Sequence, residues 1–117
     1  MDIFRIFHLQ CARRLPALSE SHPCSRLHGH SFRVELGVSG DLDPVHGWVV
    51  DFAEIEAAWQ PIHRTLDHRY LNDIPGLENP TSENLAIWLW GQLRPVLSGL
   101  SWVKVMETHD SGCIYRG

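Results

Sequence analysis

A chain of 117 residues is long enough for one hydrophobic core and too short for two, so residues 1–117 are expected to form one domain, with any further active-site wall coming from a partner subunit. The net charge of −4 argues against a nucleic-acid or anionic-membrane surface, which needs a clustered positive patch, and leaves a small molecule as the expected substrate. Three cysteines, an odd number without framework spacing, read as free thiols, whereas eight histidines in so short a chain direct attention to metal or acid–base chemistry.

Residues 3–12 (IFRIFHLQCA) are rich in β-formers and lack a helix cap, which predicts a strand with Phe7, Leu9, Cys11 and Arg13 sharing one face. The Pro- and Ser-rich RLPALSESHPCSRL that follows predicts an exposed loop. From His30 to Ser39, Phe32, Val34, Leu36 and Val38 alternate with polar residues, the pattern of a half-buried strand ended by GDLDPVHG. Asp51 then stands before Phe52, Ile55, Trp59, Ile62 and Leu66, a helical spacing with Glu54 at the capping-box position and Pro61 expected to bend the helix. After the turn-rich LDHRYLNDIPGLENP, a second helix is predicted, capped by Thr81 or Ser82, apolar at Leu85, Leu89, Leu93 and Val96, and stopped near Gly99. Residues 101–108 and 113–116 read as a closing pair of strands. The order ββααββ predicts an α+β fold, a four-stranded antiparallel sheet with two helices on one face and open edges that invite oligomerisation. There is neither a charged-then-apolar leader nor a long apolar run, so a soluble, cytoplasmic protein is expected.

The chemistry concentrates in CSRLHGHSF, residues 24–32. His28 and His30 leave the same face of a strand roughly 6.5 Å apart, from a rise of ~3.3 Å per residue, and can converge on one ion. Two imidazoles do not complete the three or four ligands zinc wants, so a core histidine with a satisfied hydrogen bond weighs about equally. Cys24 lies in a polar loop beside His22, Arg26 and His28, surroundings that favour a reactive thiolate over a structural thiol. Asp67 and His68 are adjacent, and a carboxylate holding an imidazole sets its tautomer and basicity, although such a pair alone is usually just solvated. Glu107 shares parity with Val103 and Val105, so it points to the covered side and needs a donor from the protein or from a guanidine-like ligand edge.

CSRLHGHSF, GWVVDF, LDHRYLND, PTSENLA and ETHDSGCIYRG together resemble, in order and from about residue 4 to the end, the pterin-synthase family of 6-pyruvoyl-tetrahydropterin synthase and bacterial 6-carboxy-5,6,7,8-tetrahydropterin synthase. The Cys-x3-His-Gly-His spacing is similar to the bacterial 6-carboxy branch. The resemblance implies a tunnelling fold, in which sheets join edge to edge into a trimeric barrel and trimers stack into a hexamer. It implies conversion of 7,8-dihydroneopterin triphosphate to 6-carboxytetrahydropterin, with loss of acetaldehyde and triphosphate, early in queuosine (7-deazaguanine) biosynthesis. By position, it makes His28 and His30 zinc ligands, Cys24 the general base, Asp67 with His68 a proton relay, and Glu107 the pterin anchor, helped by Thr81 and Ser82.

One departure stands out. The family's third zinc histidine belongs to a motif of the form A-H-R-L-P, and here the text is CARRLP, with Arg13 in the histidine's place. Arginine stays protonated and cannot ligate zinc. Three readings follow. A substitute ligand completes the site, with Cys11 on the same face but about 6.5 Å displaced, His8 of the wrong parity, and His22 and His109 on loops. The chain is a pterin-binding homologue without zinc or synthase activity, Arg13 standing as a fixed cation. Or the change is an isolated substitution in an otherwise intact enzyme, lowering metal affinity and rate. Arg14, Arg26, Arg64 and Arg69 are candidates for the triphosphate.

Overall fold

The computed structural model describes all of residues 1–117. β1 (Asp2–Arg13) and β2 (His28–Ser39) form a long antiparallel ladder, and β3 (Leu100–Met106) and β4 (Gly112–Tyr115) extend it to a four-stranded sheet in the order β1-β2-β3-β4. Between the two pairs run α1 (Phe52–Leu66) and α2 (Ser82–Leu93). α1 packs on β1 and α2 on β3 and β4, so the ββααββ sheet carries both helices on one face. The opposite face of β1 is exposed at Phe4, His8 and Gln10.

Alternation in the sequence decides which face is covered. Phe7, Leu9, Cys11 and Arg13 of β1 and Phe32, Val34, Leu36 and Val38 of β2 are all buried against the helices. Ile55, Trp59, Ile62 and Leu66 meet them from α1, with the Trp59 ring stacked on Phe7 at 4.8 Å. Complete burial of each such side chain contributes roughly 1.5–3 kcal/mol, so this shared apolar layer fixes the register of the ladder. The register sets Arg13 opposite His28 and Cys11 opposite His30.

The helix ends follow local chemistry. Asp51 caps α1 by accepting from the Ala53 N–H, and Thr81 caps α2 by accepting from the Asn84 N–H. Pro61 is accommodated inside α1 and does not end it. α2 is shorter than its apolar spacing predicts, stopping at Leu93, because Pro95 has no N–H to continue the ladder; Val96 is exposed. β2 starts at His28, ahead of the alternation that begins at His30, and so holds both histidines of the H-x-H in the strand as expected. β3 ends at Met106, leaving Glu107 just beyond it in the turn to β4, its N–H donating to the Ser111 carbonyl. No helix is long and apolar enough to cross a membrane.

Candidate functional site

At the far end of the β1–β2 ladder the covered face stops being hydrocarbon. Arg13, the last residue of β1, is 1% exposed, and a guanidinium so buried needs charge and hydrogen-bond partners within the protein. Its Nη2 donates to Glu107 Oε1 at 2.5 Å and approaches His30 Nε2 at 3.2 Å, while Nη1 donates to the Pro80 carbonyl at 2.8 Å. The Phe32 ring lies beneath it, 5.1 Å from the guanidinium carbon. Glu107 Oε1 also accepts from Ser82 Oγ at 2.5 Å. Burial works to raise the Glu107 carboxyl, but the hydrogen bonds from Ser82 and Arg13 and the charge of Arg13 overcome it, holding it below the ordinary carboxylate range. Arginine can only donate, so His30 Nε2 accepts and the ring proton sits on Nδ1. Burial, and then the charge of Arg13, push the His30 pKa below its usual value and keep the ring neutral.

His28 stands beside His30, ring centroids 4.7 Å apart. Its Nδ1–H donates to the Arg26 carbonyl at 2.7 Å, which turns Nε2 of the neutral ring into an acceptor. That Nε2 is buried and without a partner, as is Nε of Arg13. Cys11 does not join them. Its Sγ donates to the Leu66 carbonyl at 3.3 Å, and burial, with Asp67 nearby, pushes the thiol up to about 12. With no metal beside it, a thiol so held stays protonated, and its hydrogen bond points it at the Leu66 carbonyl.

Asp67 and His68 come from the other side of β1. Asp67 closes α1, and its Oδ1 accepts from the Gln10 N–H at 2.9 Å. That backbone bond is the main reason its carboxyl lies below the ordinary range. Its Oδ2 accepts from His68 Nδ1 at 2.7 Å, leaving Nε2 as the ring's free nitrogen. His68 has φ of 57°, the left-handed region that a non-glycine residue enters at a cost of order 1–3 kcal/mol. The strain is held by backbone bonds on both sides, His68 N–H to Gln10 and Ala12 N–H to Arg69. His68 and His30 line one cleft of ≈ 430 Å³ with Gln10, Ala12, Ser31 and Tyr70. Glu107 opens elsewhere, into a hollow of ≈ 220 Å³ lined also by Ser82, Ser111 and Cys113.

Cys24 lies in a single 3₁₀ turn (Pro23–Ser25), half-buried, its N–H donating to His22 Nδ1. The turn is tied to the end of β1 by the Leu15 N–H donating to the Cys24 carbonyl at 2.8 Å. The structure thus gathers Arg13, His30, Glu107 and Ser82 into one cluster with His28 at its edge, lets His68 line the same cleft as His30, and leaves Cys24 outside both hollows. The carbonyls of Arg26 and Pro80, which orient His28 and Arg13, left no mark in the sequence, because any residue supplies a carbonyl. Phe32 did leave one, sharing His30's parity.

These residues do not fit a zinc ion. No three His, Cys, Asp or Glu side chains come together as a group able to hold a metal. Arg13 is cationic where a third ligand would stand, and its N–H occupies the His30 lone pair that a metal needs.

The α+β sheet thus brings together a half-buried carboxylate, paired strand histidines and a carboxylate-held imidazole. The family model for 6-pyruvoyl tetrahydropterin synthase matches residues 2–117, and the chain belongs to that family. It is 40% identical over 119 residues to 6-carboxy-5,6,7,8-tetrahydropterin synthase of Synechocystis sp., covering 97% of this chain and 91% of that protein. It is also 40% identical over 73 residues to dihydroneopterin monophosphate aldolase of Pyrococcus furiosus, covering 62% of this chain and 60% of that one. Its fold superposes on 6-pyruvoyl tetrahydropterin synthase of Caenorhabditis elegans with a TM-score of 0.92 at 28% identity, covering 100% of this chain and 95% of the other.

Proposed function

We propose that the chain is a 6-carboxytetrahydropterin synthase, a cytoplasmic carbon–carbon lyase that converts 7,8-dihydroneopterin triphosphate to 6-carboxy-5,6,7,8-tetrahydropterin with release of acetaldehyde and triphosphate, on the route to queuosine. The observation that carries the reading is the Asp67–His68 pair, held in a strained backbone and lining one cleft with His30. Strain kept at one histidine, fixed on both sides by backbone bonds, is the mark of a placed proton carrier. The relative from Synechocystis supports the choice of reaction.

In this reading the chain's own residues divide the task. Glu107 anchors the pterin: Oε1 is occupied by Ser82 and Arg13, and Oε2 accepts from the amino and ring N–H edge, helped by Ser82 and by Thr81, whose hydroxyl caps the start of α2. Cys24, outside both hollows of its own subunit, is the base that removes a proton from the substrate side chain. His68 takes up or returns a proton at Nε2 while Asp67 holds Nδ1–H and stabilises the charged ring. Zinc has no third ligand, so the neighbouring positive charge is the Arg13 guanidinium, which orients groups but does not acidify a hydroxyl as a metal does. Assembly into a trimer or hexamer, covering the open β4 edge, brings the separated hollows of neighbouring subunits together.

A second reading is favoured by the same Arg13. A guanidinium bound to both Glu107 and His30 leaves a pterin-binding homologue without synthase turnover. Turnover of dihydroneopterin triphosphate, with metal analysis of protein purified without chelator, decides between them when wild type is set beside Arg13→His. The synthase reading expects slow wild-type turnover with substoichiometric zinc, both rising in Arg13→His. Pterin binding with no turnover in wild type establishes the second reading. Full zinc in wild type, or no change of either quantity in Arg13→His, overturns this account of Arg13.

A further inference from the structure

Asp67 receives a second imidazole, one that the relay with His68 does not use. His63 stands in the last turn of α1, four residues before Asp67, the spacing that sets two helical side chains on one face. Its Nε2 lies 3.5 Å from Asp67 Oδ2, the same oxygen that accepts from His68 Nδ1 at 2.7 Å. Asp67 Oδ1 is taken by the Gln10 N–H, so the two rings share Oδ2. The two contacts differ in kind. His68 is hydrogen-bonded, whereas 3.5 Å is too long for a good hydrogen bond and His63 acts through its charge. The buried Trp59 ring backs His63, 6.4 Å away between centroids, while the His63 side chain, 38% exposed, can exchange protons with solvent.

After the Gln10 N–H bond and the His68 hydrogen bond, the charges of His68 and His63 hold the Asp67 carboxyl down against burial. From β1 the titratable group that meets Asp67 is Cys11, a thiol kept neutral. Arg64 of α1 and Arg69, next to His68, carry charges that do not change with pH. We propose that His63 is a positioning residue for the relay: its charge, acting through the shared Asp67 oxygen, sets how firmly His68 holds a proton at Nε2. With His63 neutral, the whole Asp67 charge supports a protonated His68 ring. With His63 charged, two cations face one oxygen, and each weakens the other's hold on its proton. Imidazole gains and loses its charge near neutral pH, so the two rings titrate as a coupled pair. This role rests on the reading of His68 as the proton carrier and adds what governs its proton.

Two variants push His68 in opposite directions. His63→Gln never carries a charge, and His63→Lys carries one throughout the working range. The pH at which the His68 ring takes its proton, followed by two-dimensional NMR without substrate, is expected to rise in His63→Gln and to fall in His63→Lys. The two should end about half a pH unit apart, the repulsion of two unit charges ~5.5 Å apart in water-like surroundings. The acid limb of the pH profile for turnover of dihydroneopterin triphosphate, where His68 must be unprotonated to act as a base, should move in the same order. Coincident NMR titrations, or both variants moving the same way, overturn the proposal. So does an acid limb that stays in place while the titrations separate. If neither wild type nor variant turns the substrate over and the titrations still separate in the expected order, the synthase reading falls and the coupling of His63 to His68 stands.

Discussion

Arg13 with its partners and Asp67 with His68 are the two charged constellations beside His30, and they are built on opposite plans. The first is buried, with one guanidinium spread over Glu107, His30, Pro80 and the Phe32 ring, and its charges balance within the protein. The second faces solvent through His68, whose side chain is 77% exposed and hydrogen-bonds within the protein to the neighbouring carboxylate. Burial makes the first a structural fixture whose groups move their protons only at a cost in stability. Exposure leaves the second free to exchange protons with solvent, and backbone strain keeps it in place. The difference teaches that two charged groups beside one histidine can be held in opposite ways: one as an internal ion pair closed to solvent, the other as a carboxylate–imidazole pair open to it.

Substitutions on the two sides should therefore separate activity from stability. His68→Ala is expected to lower turnover of dihydroneopterin triphosphate by ~10²–10⁴-fold while the urea midpoint hardly moves; a large loss of stability would show the dyad to be structural. Arg13→Met should act on stability, destabilising by roughly 3 kcal/mol, the low end for a broken buried pair because Glu107 keeps one side toward solvent. Acid should show the same asymmetry. The folded Glu107 carboxyl lies below its unfolded value, so its stabilising contribution is present above the ordinary carboxylate range and is lost as pH falls through the lowered folded value. His30, also lowered, resists protonation in the fold, so stability already declines as pH drops below ~6.5. Urea midpoints from pH 7 to 4 should fall in wild type and flatten in Arg13→Met; parallel curves would sink the ion-pair account. Ser82→Ala, which removes one donor from Glu107 and leaves Arg13 in place, should destabilise by about 1 kcal/mol. His68→Gly should be more stable than His68→Ala by about 1 kcal/mol, since glycine enters the left-handed region freely, and thermal unfolding of the pair measures it. Gly29→Ala closes the series: a Cβ there meets only the Cys11 carbonyl oxygen, at 3.8 Å, so its effect on stability should stay within about 0.5 kcal/mol.

Much of the architecture was legible because it is written in periods. Alternation from Phe32 to Val38 and the 3/4 spacing from Ile55 to Leu66 report burial directly, and burial is what the sheet and α1 are made of. Apolar spacing continues to Val96, but α2 ends at Leu93: Pro95 offers no N–H to the ladder, and the chain closes in a turn with Val96 and Leu97 N–H both bonding to the Leu93 carbonyl. Of the site, parity alone placed His30, Glu107 and Arg13 on the covered face. Cys11 was on that face too, but its competing acceptor, the Leu66 carbonyl, lies 55 residues away and could not be read from the sequence.

The sequence by itself determined that Glu107 must find a donor and that Arg13 cannot hold a metal, because both follow from side-chain chemistry and strand parity. Only the tertiary structure decided that each answers the other. Their meeting across 94 residues depends on β1 and β3 flanking β2 and on the start of α2 closing over them, a long-range arrangement that no local period encodes.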